Sequence, residues 1–129
     1  MTMVRKRLRK AEKLAIAVDQ PGSVFYGGVS VAKTAILCWG SPRGVCCEVA
    51  DKLKLRIVSP IVISPFPSKE FSKAMQGVEK VILVEDSSTG QLNEILAREG
   101  YRTDDLILRY DGRPFAVEEL LERVMRCTA

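Results

Sequence analysis

Residues 80 to 92, KVILVEDSSTGQL, constrain the fold more than any other stretch of the chain. Four consecutive apolar residues, Val81, Ile82, Leu83 and Val84, lead into Glu85 and Asp86, then into a Ser/Thr/Gly loop, and a helically spaced apolar run starts at Leu92. A strand exposed on one face alternates apolar with polar residues. One that is apolar on both faces is covered on both, as in a parallel sheet flanked by helices. The stretch therefore predicts a buried strand feeding a helix, with its loop at the strand's carboxyl end, where open α/β sheets place ligands.

The same alternation recurs along the chain. Lys33 to Trp39, with Ala35, Ile36, Leu37 and Cys38 apolar in succession, predicts a first buried strand that stops at WGSPRG. Ser41 is a suitable N-cap and Pro42 suits the first helical position, so a helix is expected through Val45, Val49 and Leu53. Leu55 to Ile63 predicts a second strand; Pro60 either ends it near Ser59 or marks an edge or bulge. A stiff Pro65-Phe66-Pro67 turn precedes a short helix opening at Ser68 and stopping at Gly77. Thr89 is expected to cap a helix over Gln91 to Arg98, followed by a short strand at Leu106 to Leu108. A turn at Asp111 to Phe115 leads to a final helix striped by Val117, Leu120, Leu121 and Val124. A short strand is expected at Ser23 to Tyr26, with Gly27 and Gly28 as a turn. Strands alternating with helices in this way predict an α/β fold, a three-layer α/β/α sandwich with a mostly parallel sheet.

At 129 residues the chain fits one domain able to bury a core without disulfides or metal. Its net charge of +4 is concentrated at one end. Arg5, Lys6, Arg7, Arg9, Lys10 and Lys13 face only Glu12 within the first 14 residues, which leaves 14 basic and 15 acidic groups in the other 115. The body is close to neutral, so nucleic-acid binding could come only from the basic arm. Val4, Leu8, Ala11, Leu14 and Ala15 are helically spaced there, which predicts either a connector or docking arm or a solvated basic helix whose apolar stripe packs on its own domain; residues 1–20 are set apart as a basic linker helix from an α/β domain over 21–129. No apolar run approaches the roughly 20 residues of a membrane span. No apolar core follows the basic start as a signal peptide requires.

The chain contains no histidine, which excludes Ser/His/Asp and Cys/His nucleophile systems. Four cysteines, at 38, 46, 47 and 127, have no metal-ligand spacing, and unpaired thiols fit a reducing, cytoplasmic compartment. Three loops follow strands: WGSPRG, EDSSTGQL and YDGRPF. Ser41, Arg43 and Gly44 could hold an anion at a helix start, although the glycine spacing and lysine of a phosphate loop are lacking. Thr89, Gly90 and Gln91 are explained by capping or by contact with a ligand. Glu85 and Asp86 point to opposite faces, so one of them is expected to cap the next helix. Asp111 and Arg113 suit a salt-bridged turn or an interface, and Arg113 beside Phe115 would anchor a partner. No catalytic, cofactor-binding or metal-binding residue is assigned.

In order, KRLRK, FYGG, LCWGSPRGV, SPFP, KVILVEDSSTGQL and RYDGRPF resemble the C-terminal segment of the α subunit of 2-oxoacid:ferredoxin oxidoreductases. That family typically has a WGS-x-x-G turn, a PFP turn, a V-V-E-x-N-x-x-GQL element and a YDGRPF turn. The likeness runs from about Val4 to Val124, with Ser87 where the family often has Asn. It implies a transketolase C-terminal-like domain with structural and assembly duties. The whole enzyme would decarboxylate a 2-oxoacid such as pyruvate on thiamine diphosphate with Mg, pass electrons through Fe–S clusters to ferredoxin, and release acyl-CoA. The cofactors would sit on other domains or on the β subunit, and the chain would be a fragment or the product of a split gene. A free-standing module binding small ligands or anions at Ser41–Gly44 and Thr89–Gln91 is the alternative.

Overall fold

The computed structural model describes residues 19–63, 65–85, 91–108 and 113–128. Five strands alternate with four helices among them: β1 (Val24–Gly28), β2 (Thr34–Cys38), α1 (Arg43–Leu53), β3 (Arg56–Pro60), α2 (Ser68–Ala74), β4 (Lys80–Glu85), α3 (Gln91–Arg98), β5 (Asp105–Leu108) and α4 (Val117–Thr128). They form one sheet in the order β1-β3-β2-β4-β5. The last four are mutually parallel and β1 runs antiparallel on the outside of β3.

Residue alternation along the strands sorts the core into two layers. On one face Ile36, Ile57, Ile82, Val84 and Ile107 pack with residues of α1 and α4, including Cys46, Val49 and Leu120. On the other face Ala35, Leu37, Val58, Val81 and Leu83 pack with Phe71 of α2 and Leu92 and Leu96 of α3. The chain steps from β2 to β3 in one direction across the sheet and from β3 through β4 to β5 in the other. Right-handed crossovers then require α1 on the face opposite α2 and α3, as found. The expected three-layer sandwich is present, and the four apolar residues of the KVILV run, Val81 to Val84, are all buried.

Local details refine the sequence reading. Gly27 and Gly28 lie within β1 rather than in a turn after it, paired with Ile57 and Arg56. The Leu55 carbonyl approaches Gly28 so closely that only a residue without a Cβ fits. Pro60 is the last residue of β3, and because β3 lies between β1 and β2 the edge-strand reading does not hold. Pro42, not Ser41, takes the cap position of α1: its carbonyl accepts the Cys46 N–H at 2.9 Å, and Arg43 is the first helical residue. Gly77 and Gly100 adopt left-handed backbone after α2 and α3, as their stop roles require. The basic segment 1–18 lies outside the described residues.

Candidate functional site

Because β3, β2, β4 and β5 are parallel, their carboxyl ends gather along one edge of the sheet. β2 and β4 are direct neighbours, Cys38 beside Val84, and the connections from them leave in opposite directions. The crevice between their carboxyl ends is thus a topological switch point, the usual ligand position in open α/β sheets.

The residues singled out in the sequence meet this edge unequally. Ser41, Arg43 and Gly44 follow β2 and are exposed. Arg43 holds its guanidinium 5.0 Å from the Phe25 ring centroid, so it braces β1 against the start of α1. Gln91 opens α3 and is exposed, and Arg113 is exposed after β5. Thr89, Gly90, Asp86 and Asp111 lie outside the described residues. Phe115 corrects its expected role: only 4% exposed, it packs in the core with Arg123 over its ring at 5.9 Å, so it is not available to anchor a partner.

Glu85 resolves the choice between the two adjacent carboxylates. It is buried, and its Oε1 accepts the Leu92 N–H at 2.8 Å. The last residue of β4 therefore caps α3 from below, satisfying an N–H that the helix itself cannot. That bond and the burial give Glu85 a structural role at the junction.

Beneath the β2 loop lie two buried thiols. Cys46 shares its S–H with Cys38, which, together with burial, pushes the Cys46 thiol far up. Cys38 is held below its ordinary value by that hydrogen bond, with the Ser59 hydroxyl and the Arg43 charge acting the same way against burial. Burial raises Cys47 and Cys127, which are only partly covered. Iodoacetamide is expected to modify Cys47 and Cys127 in the folded chain, and Cys38 and Cys46 only after unfolding. The raised thiols should keep accelerating at pH values where free cysteine has levelled off. Peptide mass analysis reads both effects, and an adduct on Cys46 in the folded chain would contradict the packing.

Sequence reasoning missed the apolar rim of this edge. Trp39 directly follows β2, Ile61 directly follows β3, and Phe25 sits near the start of β1 opposite Ser59; they are 38%, 45% and 37% exposed. Each side chain is unremarkable alone in the sequence. Only the antiparallel placement of β1 brings Phe25 to the end of the sheet where β2 and β3 finish. Among the described residues no three His, Cys, Asp or Glu side chains gather as a metal would need, and no helix is long and apolar enough to cross a membrane.

Comparison with known proteins gives consistent likenesses. Residues 32–120 match the pyruvate:ferredoxin oxidoreductase core domain II. The chain is 30% identical over 128 residues to the 2-oxoacid:ferredoxin oxidoreductase subunit alpha of Saccharolobus solfataricus. It is 29% identical over 127 residues to subunit alpha of the 2-oxoacid:ferredoxin oxidoreductase 1 of Sulfurisphaera tokodaii. These alignments take in 95% and 96% of this chain and 20% of each relative, so the chain spans about a fifth of their length. A solved 2-oxoglutarate:ferredoxin oxidoreductase from Magnetococcus marinus, with 2-oxoglutarate, coenzyme A and succinyl-CoA bound, superposes with a TM-score of 0.81 at 27% identity. That superposition covers 97% of this chain and 22% of the other.

Proposed function

The chain belongs to the pyruvate:ferredoxin oxidoreductase core domain II family, and from that premise we propose that it is the assembly domain of a 2-oxoacid:ferredoxin oxidoreductase α subunit. In this reading the whole cytoplasmic enzyme oxidatively decarboxylates a 2-oxoacid to acyl-CoA and reduces ferredoxin. This chain contributes architecture: residues 1–20 as the basic linker, and residues 21–129 as a transketolase C-terminal-like domain that docks on the remaining α-subunit domains and the β subunit. The observation that carries the reading is the rim of Trp39, Ile61 and Phe25 on a chain spanning a fifth of its relatives. Aromatic and apolar side chains clustered beside an arginine are the composition of an interface core.

Thiamine diphosphate, Mg and Fe–S clusters belong, in this reading, to the rest of the enzyme. The described residues do not fit them. Glu85 is buried and one of its oxygens holds the Leu92 N–H, while the Arg43 guanidinium near the switch point lies over Phe25. Cys38 and Cys46 are buried and hydrogen-bonded to each other, and among the described residues no three His, Cys, Asp or Glu side chains gather as a metal or cluster would need.

The test is co-expression with the remaining segments of a relative's α and β subunits. The chain is expected to copurify with them, and the double substitution Trp39→Glu with Ile61→Glu is expected to abolish copurification. Because both side chains are more than half covered, the unfolding free energy of the variant should fall by about 2 to 3 kcal/mol, and a cooperative thermal transition shows that it is still folded. Turnover of pyruvate or 2-oxoglutarate with ferredoxin by the purified chain alone would overturn the proposal.

A further inference from the structure

At the opposite, amino edge of the parallel strands lies a recess of about 460 Å³ between β1, β3 and α2. Tyr26, Ser30, Arg56, Lys73 and Gln76 line it together with the backbone of Gly27 and Gly28. Arg56 opens β3 and is only 6% exposed. Its Nη1 donates to the carbonyls of Ala74 at 3.0 Å and Gln76 at 2.6 Å, and its Nη2 donates to the Ser30 carbonyl at 2.6 Å. These bonds close off the carboxyl end of α2, a task any set of donors could perform. They do not neutralise the charge. Among the described residues Arg56 has no carboxylate partner, and its buried Nε has no hydrogen-bond acceptor. Among the described residues lining the recess Glu70 is the acidic one, and Lys73 holds it at 3.2 Å. The lining thus carries two cations and one anion, and the cation left over is the buried one.

Buried charges are normally paired, because removing an ion from water is costly and dipoles alone offset that cost poorly. We propose that this recess binds a small organic monocarboxylate, with Arg56 and Lys73 as its charged partners. With both Nη1 hydrogens and one Nη2 hydrogen spent on carbonyls and Nε buried, the guanidinium offers a ligand its charge and one remaining Nη2 N–H. One uncompensated positive charge, with Glu70 on the same wall, selects a monoanion over phosphate. The volume lies within the range of small-molecule sites, about 300 to 1,000 Å³, and exceeds what one intruding acidic side chain would fill. The ring of Tyr26 and the methyl of Ala74 suit a short aliphatic body.

Butyrate is the probe, titrated into the full chain while the Arg56 Nε–H and the Gly27 and Gly28 amides are followed by 15N NMR. A saturable shift of these resonances is expected. Lys73→Glu should weaken it on the order of tenfold, since it replaces attraction by repulsion near the ligand. Lys73 is largely in solvent, so this variant keeps the fold even if Arg56→Gln does not. No saturable shift up to about 50 mM, well beyond weak millimolar binding, would overturn the proposal. So would equal shifts with butyramide or inorganic phosphate, or an unchanged affinity in Lys73→Glu.

Discussion

Leu83→Ala is expected to lower the unfolding free energy by about 3 to 4 kcal/mol, a large share of the roughly 5 to 15 kcal/mol that holds a domain of this size. Leu83 is fully buried in β4 and packs in the layer with Phe71, Leu92 and Leu96, where α2 and α3 cover the sheet. Truncation removes three carbons of buried apolar surface, and strand and helices held from both sides cannot collapse into the cavity. Leu106→Ala on β5 is the control. That side chain is 40% exposed at the sheet's edge, and its loss should cost no more than about 1 kcal/mol. Urea denaturation of the two variants measures the difference, and equal midpoints would mean that β4 is not the covered strand described above.

The second large effect is at Gly28. A Cβ placed there would lie 2.2 Å from the Leu55 carbonyl oxygen, and the backbone has φ +74°. The left-handed conformation alone costs a side-chain-bearing residue about 1 to 2 kcal/mol. Displacing a backbone carbonyl that receives the Val29 N–H at 3.0 Å adds to this, so Gly28→Ala should cost about 3 kcal/mol or more. Gly22 separates the two contributions. It has φ +97° but open space around the added carbon, so Gly22→Ala should cost only the conformational part, about 1 to 2 kcal/mol. Thermal unfolding of the pair tests the division, and similar losses at both sites would remove the steric argument.

These two positions show what was legible in the sequence. Leu83 could be placed at once, because an uninterrupted apolar run has few alternatives to a strand covered on both faces. The helices α1, α3 and α4 are equally readable from the spacing of their apolar residues. Gly28 was recognised as special and misplaced, because a Gly-Gly pair signals a turn locally, whereas the cause here is the carbonyl of Leu55, 27 positions later in the chain. Phe115 failed for a related reason. In RYDGRPF it sits among turn residues, and only the packing of α4 on α1 reveals that the ring faces the core. Arg56 is one charged residue at the head of an apolar run, with nothing local to mark it. Its burial depends on carbonyls 18 to 26 residues away, a relation that no local pattern carries. Of the residues expected in loops, Arg43, Gly44 and Gln91 lie in the first turns of α1 and α3, while 86–90 and 109–112 lie outside the described residues. That Arg43 shares one edge with Phe25, Trp39 and Ile61 follows from strand order, which neither composition nor periodicity encodes.

Strand order also governs how the chain reaches this state. No two neighbours in the sheet are joined by a hairpin. The nearest pairing in sequence, Ala35 with Arg56, closes a loop of about 20 residues, and the central pairing of β2 with β4 spans the whole of α1, β3 and α2. Every ladder must therefore overcome substantial loop-closure entropy before its first hydrogen bond forms, and no ladder can nucleate from a tight turn. During synthesis β1 and β2 both emerge before β3, the strand that separates them in the finished sheet. Until β3 inserts, two apolar strands wait with unsatisfied edges. That interval is when this chain is most exposed to pairing with the wrong partner.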